Sequence, residues 1–224
     1  MADISETDGT LRIGAAATWT DVIRADLTPA FDALKQAARE VGSVQIQNAG
    51  TVAGNICNAS PAADGVPPLL ALDAQVELAS AARGTRVVPV QNFITGVRET
   101  ILAADELVTA IIVPRPPANM VSGFEKLGSR RYLVISIVMS AANIVLDPAG
   151  RIAEARVAVG SCSAVAQRLG KLEADLIGQD PSAVSLSNEH LAPLAPIDDV
   201  RGSAAYRIEA ARHQIARAIQ KAAS

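Results

Sequence analysis

Apolar residues recur along the chain with two spacings, at every second residue in some segments and at every third or fourth residue in others. These spacings predict a mixture of strands and helices. The segment 11–17 is predicted to be a short strand. After it, Thr28 and Pro29 are placed to open a helix, with Thr28 as the N-cap and Pro29 at the first helical position. Gly42 stands where a left-handed C-cap is expected. Four apolar residues of this helix share one face: Phe31, Leu34, Ala38 and Val41.

The character of the sequence changes between residues 43 and 68, where small, polar and turn-forming residues predominate. This stretch has too little apolar periodicity to predict a helix or a long strand, so we expect a loop. Residues 75–79 and 85–90 then alternate as the two strands of a hairpin do, and a further strand is predicted at 107–113. The Pro-Arg-Pro-Pro run at 114–117 ends that strand and predicts a domain boundary, because prolines stiffen the chain and remove backbone donors.

The second part of the chain is predicted to hold three antiparallel strands followed by helices. The strands are expected at 122–127, 135–146 and 152–159. The helices are expected at 165–177 and 203–223. An antiparallel sheet backed by helices is an α+β architecture. The sequence therefore predicts an α+β fold in two domains, 1–117 and 118–224.

Composition excludes several classes of function. Half of the 224 residues are apolar, and a formal net charge of -3 argues against a nucleic-acid-binding protein. Two cysteines, Cys57 and Cys162, are too few for a disulfide scaffold, and His190 and His213 stand in no metal-ligand spacing, so both histidines are expected to be ordinary surface or helix residues. The most apolar window, 132–146, is shorter than the roughly 20 residues of a membrane-spanning helix. We expect a cytoplasmic protein without a membrane or nucleic-acid partner.

One segment has a pattern suited to binding a ligand. Residues 45–64 read QIQNAGTVAGNICNASPAAD, in which glycines alternate with Thr, Asn, Ser and Asp side chains. Such a loop can bring backbone N–H groups and hydroxyls close to a phosphate or a polyol. Neither a Walker loop nor a Rossmann fingerprint is present in it. From the residues alone a second interpretation stays open, in which Gly50 and Gly54 make tight turns and Asp64 caps a helix near 67–72.

The same segment resembles the second flavin-binding motif of the FAD-binding subunit of molybdenum hydroxylases, the family of xanthine dehydrogenase and carbon monoxide dehydrogenase. That motif, Thr-Ile-Gly-Gly-Asn and then Ser-Pro-x-x-Asp, stands here as TVAGN at 51–55 and SPAAD at 60–64, with Ala53 in place of the first glycine. Two later stretches are also similar to the family: GFEKL at 123–127 with Arg130-Arg131, and DVRGSAAYR at 199–207. The three motifs occur in order and span essentially the whole chain.

The resemblance implies a PCMH-type FAD-binding domain, of the vanillyl-alcohol-oxidase type, followed by a three-stranded antiparallel sheet with helices like the CO dehydrogenase flavoprotein C-terminal domain. The backbone of 51–55 would wrap the FAD pyrophosphate and ribityl region, Asp64 would accept a hydrogen bond from a flavin hydroxyl, and Ile135 would cover the isoalloxazine ring. The implied FAD-contacting residues are Thr51, Val52, Ala53, Gly54, Asn55, Asn58, Ser60, Asp64, Val108, Lys126 and Ile135. No residue is implied to act as a catalytic acid, base or nucleophile.

Several of these residues have a purely structural alternative. Lys126 could be a solvated lysine on an edge strand, and Val108 and Ile135 could be ordinary core residues. The pair Arg130-Arg131 is more typical of a surface charge cluster than of a ligand clamp.

The resemblance also implies a role and partners. In this family a large subunit oxidises substrate at a molybdenum cofactor, and electrons cross iron–sulfur clusters on a small subunit to reach FAD and then NAD or another acceptor. The family's first glycine-rich FAD loop has no counterpart before Thr51, so we expect an N-terminally incomplete FAD domain that retains flavin weakly in isolation. Two alternatives stay open: a flavin-free assembly or scaffold subunit, and a different flavin oxidoreductase of the same fold, such as one that reduces a sugar-nucleotide enol ether.

Overall fold

The computed structural model describes residues 1–7 and 9–224, and its first half is built on a five-stranded antiparallel sheet. The strands of this sheet are Ile4–Thr7 (β1), Thr10–Gly14 (β2), Gln75–Ser80 (β3), Gly84–Pro89 (β4) and Glu106–Pro114 (β7). They lie in the order β1-β2-β7-β3-β4, so that β7 is central. Two short strands, Ile94–Gly96 (β5) and Glu99–Thr100 (β6), pair with each other beside it.

Short helices accompany this sheet. They are Trp19–Arg24 (α1), Asp32–Glu40 (α2), Val44–Ala49 (α3), Val52–Cys57 (α4), Val66–Ala71 (α5) and Val90–Phe93 (α6). Alternate residues of β2 and β3 are buried, as the period of two in a half-buried strand requires. Ile13, Leu78 and Ile111 from the sheet pack with Trp19 and Leu34 from the helices in one apolar core.

The second sheet lies between two layers of helix. Its strands are Met120–Leu127 (β8), Val138–Leu146 (β9), Ile152–Gly160 (β10) and the two-residue Gln167–Arg168 (β11), in the order β11-β10-β9-β8. One face packs against the helix Ala204–Ala222 (α8), and the other packs against α2 and α5. Between β11 and α8 lie the helix Gly170–Asp175 (α7) and two 3-10 turns, Pro181–Ala183 and Glu189–Leu191.

The close approach of α8 to the sheet depends on a glycine. A Cβ atom at Gly123 in β8 would lie 2.4 Å from the carbonyl oxygen of Ala218, so any side chain there would push the helix away. At the start of α8 the hydroxyl of Ser203 accepts the N–H of Tyr206 at 3.2 Å. The helix therefore begins and packs as its sequence predicts.

The predicted α+β architecture with antiparallel sheets is confirmed. The hairpin of β3 and β4, the strand β7 and the helix α8 lie where the sequence predicts them. Gly42 has a φ of 54°, in the left-handed region expected for a C-cap. The boundary predicted between residues 117 and 118 falls between β7 and β8 and stays a prediction.

The loop predicted for residues 43–68 is wrong, because this stretch contains α3, α4 and the start of α5. The hydroxyl of Ser43 caps α3 and the hydroxyl of Thr51 caps α4. Each helix has six residues, which is less than two turns, so no apolar repeat is long enough to reveal it.

Other predicted boundaries are also corrected. The strand expected from residue 135 begins at Val138, and the helix expected at 165–177 is reduced to α7. Thr28 makes no capping hydrogen bond, and Pro29 opens a 3-10 turn that leads into α2. The three-stranded sheet gains β11 as a fourth strand, and β1 and α1 were not predicted.

His190 lies in the 3-10 turn Glu189–Leu191 and is not the surface histidine that the sequence allows. Its ring is buried, its Nδ1 accepts the backbone N–H of Ser187 at 3.1 Å, and its Nε2 lies 2.9 Å from the Asp175 carboxylate. Across residues 1–7 and 9–224, no helix combines the length and the apolar character that crossing a membrane requires.

Candidate functional site

The segment 50–55 is held firmly against the start of the chain. Thr18 and Thr51 form an isolated β-bridge, Trp19 donates its backbone N–H to the Gly50 carbonyl at 3.1 Å, and Val52 donates to Ala17 at 3.2 Å. The Thr51 hydroxyl accepts the N–H of Gly54 at 2.9 Å and so caps α4. The segment is therefore a short capped helix and not the open glycine loop that the sequence predicts.

The orientation of α4 divides the predicted motif into buried and accessible residues. Val52 and Ala53 are buried in the core, whereas Gly54 is exposed and Thr51 and Asn55 are half-buried. Ala53 lies within the helix and does not have the positive φ that would make an alanine costly there. The side chains able to meet a ligand are thus those of Thr51 and Asn55.

Asn55 has an unsatisfied polar atom. Its Oδ1 is buried and accepts no hydrogen bond from the residues that the structure describes. Its neighbours are Trp19 and Gly65, since a Cβ atom at Gly65 would lie 3.0 Å from Asn55 Oδ1 and 2.4 Å from Trp19 Cη2. A buried acceptor without a donor costs free energy. A hydroxyl or N–H group of a ligand would remove that cost.

Asp64 lies at the centre of a buried polar cluster. Its Oδ2 accepts from the Lys126 ammonium at 2.7 Å and its Oδ1 accepts from the Ser136 hydroxyl at 2.5 Å. The side chains of Asp64 and Lys126 are 9% and 7% exposed. Lys126 also donates to the Glu40 carbonyl at 3.3 Å, so the cluster joins α2, the segment before α5, β8 and the approach to β9.

Burial raises the pKa of Asp64 above its ordinary value, and Lys126 and Ser136 oppose that shift. An ionised carboxylate can accept about four hydrogen bonds, and these two donors use two of them. Asp64 consequently retains capacity for a further donor. The alternative in which Asp64 caps a helix is wrong, since α5 has Gly65 as its N-cap and no side-chain cap. The alternative in which Lys126 is solvated is wrong as well.

The remaining predicted residues lie in different settings. Val108 is half-buried in β7 opposite Leu78 and packs on the core of the first sheet. Ile135 is 53% exposed, so it is not a core residue. Asn58 accepts a hydrogen bond from Arg98, and the Ser60 hydroxyl accepts the N–H of Ala62 at 3.2 Å.

A cleft of about 460 Å³ opens beside the Asp64 cluster. Ser60, Pro61 and Ala62 form one wall, Ile135 and Ser136 form another, and residues of the 199–207 motif close it. The backbone N–H of Arg201 and the Arg207 guanidinium lower the pKa of Asp199 to about 2. Ser136 belongs to both the cleft and the Asp64 cluster.

The family assignment rests on matches that cover nearly the whole chain. Residues 1–116 match the family described as the FAD binding domain in molybdopterin dehydrogenase, and residues 124–222 match the CO dehydrogenase flavoprotein C-terminal domain. The chain belongs to the flavoprotein subunits of the molybdenum hydroxylases. The expectation from the three sequence motifs is thereby confirmed.

Individual relatives agree with this family. The chain is 40% identical over 151 residues to the nicotinate dehydrogenase FAD-subunit of Eubacterium barkeri, covering 64% of this chain and 49% of that protein. It is 39% identical over 155 residues to the xanthine dehydrogenase FAD-binding subunit of Escherichia coli O157:H7, covering 68% and 52%. The chain therefore spans about half the length of these relatives.

Solved structures resemble the fold over almost all of this chain. Reconstituted CO dehydrogenase from Oligotropha carboxidovorans superimposes with a TM-score of 0.89 at 25% identity, covering 99% of this chain and 78% of that one. The similarity thus includes both sheets and α8.

The sequence does not predict the contacts that several residues make around the candidate site. Ser136 follows the predicted Ile135, but no spacing predicts that its hydroxyl reaches Asp64, 72 positions earlier. Arg207 is buried under the cleft, where its guanidinium donates to the Ile137 carbonyl at 2.6 Å. The resemblance to the family identifies the 199–207 motif in the sequence. It does not predict that this motif lies beside Ser60 in the folded chain.

Proposed function

We propose that this chain binds FAD and transfers electrons within a molybdenum hydroxylase-type dehydrogenase. The observation that supports this most strongly is the buried Asp64 cluster, which lies at the end of the motif shared with the FAD-binding family. When bound, the flavin supplies the chemistry of accepting and donating electrons, and the protein supplies position and electrostatics.

The residues present fit a flavin in two respects. The unsatisfied Oδ1 of Asn55 and the spare acceptor capacity of Asp64 are both suited to hydroxyl donors, such as those of a ribityl chain. Gly54 is exposed at the start of α4, where a phosphate-bearing chain could come close to the backbone.

We assign the other predicted residues as follows. Thr51, Val52 and Ala53 shape the backbone of the FAD contact, with Thr51 holding α4 in place through its cap. Asn58 and Ser60 border the same surface, and Val108 and Lys126 approach the flavin. Ile135 covers the ring, for which its exposure makes it available. None of these residues acts as an acid, base or nucleophile.

The cleft beside Ser136 is our candidate for the electron acceptor, which is NAD or another small molecule. It is large enough for part of such a molecule. Two buried polar atoms that border it, Ser161 Oγ and Arg207 Nε, have no partner among the described residues, and both could bind a ligand. We further propose that the electrons come from an iron–sulfur small subunit and a molybdenum-cofactor large subunit, in the cytoplasm.

A flavin-free assembly or scaffold subunit is the second candidate function. It would need the C-terminal sheet and its surfaces but not the Asp64 cluster. A buried ion pair with an additional hydroxyl donor is expensive to maintain unless it serves a ligand or a fold-specific role. The cluster therefore favours the flavin-binding function.

The test is reconstitution with FAD. Fluorescence of the single tryptophan, Trp19, is the readout. The Trp19 ring lies against Gly50 and Gly65, at both ends of the candidate segment, so it reports on a flavin bound there. We expect saturable quenching of Trp19 emission as FAD is added, with little flavin retained after gel filtration because binding is weak. Trp19 emission that stays unchanged as FAD is added would contradict the proposal and favour the scaffold.

A further inference from the structure

A second groove lies on the other side of Lys126. It is formed by α2, the last residues of β8, the loop after β8 and the end of α8, and it has a volume of about 430 Å³. Apart from Lys126, the residues that line it are separate from the candidate FAD contacts. Cationic side chains predominate in the lining, and they are Arg39, Lys126, Arg130, Arg131 and Lys221.

Two of these cations are already neutralised. Lys126 pairs with Asp64 at 2.7 Å, and Lys221 pairs with Glu125 at 3.0 Å. Of the two carboxylates in the lining, Glu125 is engaged with Lys221, which leaves Glu40 as the remaining anion. The net charge of the groove is therefore positive, because three arginines remain against one glutamate.

The three arginines have no carboxylate within ion-pair distance in the part of the chain that the structure describes. Arg130 donates through Nε to the Leu133 carbonyl at 3.1 Å, and Arg131 lies over the Tyr132 ring at 5.3 Å. The side chain of Arg39 is exposed beside them.

Several arginines elsewhere in the molecule are instead paired with carboxylates. Arg12, Arg86 and Arg168 each lie 2.5 to 2.7 Å from a carboxylate oxygen. A positive groove in a chain whose net charge is -3 is thus a local feature and not a property of the whole surface.

We propose that this groove binds the phosphate group of a small molecule. Guanidinium groups match phosphate oxygens with paired, charge-assisted hydrogen bonds, and three of them around one concave surface can surround such a group. The volume lies within the roughly 300–1,000 Å³ of ordinary small-molecule sites. Lys126 lines the groove and also holds Asp64, so an anion bound here lies next to the candidate flavin site.

The experiment titrates the purified protein with pyrophosphate, ADP and adenosine by calorimetry at constant ionic strength. We expect saturable, one-to-one binding of pyrophosphate or ADP and none of adenosine. If ADP binds more tightly than pyrophosphate, the ligand is a nucleotide, and if they bind equally, it is a free phosphate compound. Absence of binding by both would overturn the proposal.

Variants locate the binding. Arg39→Gln and Arg131→Gln change exposed side chains, and each is expected to weaken binding by at least about tenfold, since each removes charge-assisted hydrogen bonds. Arg115→Gln is the control, because Arg115 is exposed and does not line the groove. Equal weakening by Arg115→Gln, or unchanged binding in both groove variants, would show nonspecific charge attraction and overturn the proposal. Thermal unfolding without ligand checks that all three variants are folded.

Discussion

Two buried carboxylates of this flavoprotein subunit have contrasting surroundings. The Glu106 side chain is 3% exposed at the start of β7, and Arg86 reaches it through Nε at 2.7 Å and Nη2 at 2.8 Å. The backbone N–H of Ala103 adds a third donor at 3.0 Å. Asp64 is also little exposed to solvent but lies deeper in the protein, and it has one ammonium and one hydroxyl as donors.

The pKa values of the two carboxyl groups shift in opposite directions. Hydrogen bonds from Arg86 and Ala103 lower the pKa of Glu106 to about 2. Burial raises the pKa of Asp64, because its two donors do not compensate fully for lost water. Glu106 thus has more donors than Asp64 and links β7 to β4, whereas Asp64 keeps more acceptor capacity at a cost. A buried carboxylate of the second kind is typical of a ligand site.

The largest difference in stability between the two sites is expected when the cationic partner of each carboxylate is replaced. Lys126→Met leaves Asp64 buried without a counter-charge, and we expect it to lower the free energy of unfolding by about 3–5 kcal/mol. Arg86→Met is the matched change, and it should cost less because Arg86 is half-exposed and water can replace it. Urea denaturation of both variants measures the two losses. A smaller loss for Lys126→Met than for Arg86→Met would contradict the comparison, and the double variant with Asp64→Asn should recover part of the loss.

A smaller effect is expected from the hydroxyl donors. Ser136→Ala removes a buried hydrogen bond to a charged group and should cost about 1.5–3 kcal/mol. Ser80→Ala is its counterpart near Glu106, where the Ser80 hydroxyl donates to Asp105 at 2.8 Å. Asp105 is half-exposed, so water can take the place of Ser80 and the loss should be smaller. Equal lowering of the denaturation midpoint in Ser136→Ala and Ser80→Ala would contradict this difference between the two hydroxyl donors.

The smallest expected difference between Asp64 and Glu106 is in how each makes the stability of the fold depend on pH. Since the folded chain raises the pKa of Asp64, this group stabilises the fold increasingly as the pH falls through its folded value toward 3.8. Glu106 behaves oppositely, and its contribution is complete above 4.5 and is lost as the pH falls to about 2. Stability of the wild type relative to Asp64→Asn should therefore rise on acidification, and relative to Glu106→Gln it should fall. Slopes of the same sign would contradict the assignment.

The elements that the sequence predicts well are those with a long repeat. The helix α8 has 19 residues, so its apolar stripe is repeated over five turns and its bounds are predicted within about one residue. The helices α3 and α4 are too short to show a repeat, and their available signals were the capping residues Ser43 and Thr51. In the sequence we interpret these two residues as polar loop residues and not as helix caps.

The candidate site was predictable in its motif and not in its geometry. Residues 51–55 and 60–64 follow from the resemblance to the flavoprotein family. Which of their side chains are accessible depends on α4, which was not predicted. The contact of Asp64 with Lys126 and Ser136 joins residues 62 and 72 positions apart, and packing of the second sheet against α2 and α5 brings them together. No local pattern contains that information.

The most direct measurement compares FAD affinity in two aspartate variants, with Trp19 emission as the readout. Asp64→Ala removes the proposed acceptor for a flavin hydroxyl, and it should weaken FAD binding by about 1–3 kcal/mol, which is roughly 5- to 150-fold in Kd. Asp26→Ala changes an exposed aspartate and should leave the Kd unchanged. A wild-type Kd in the folded Asp64→Ala variant would contradict the claim that this buried carboxylate holds the flavin.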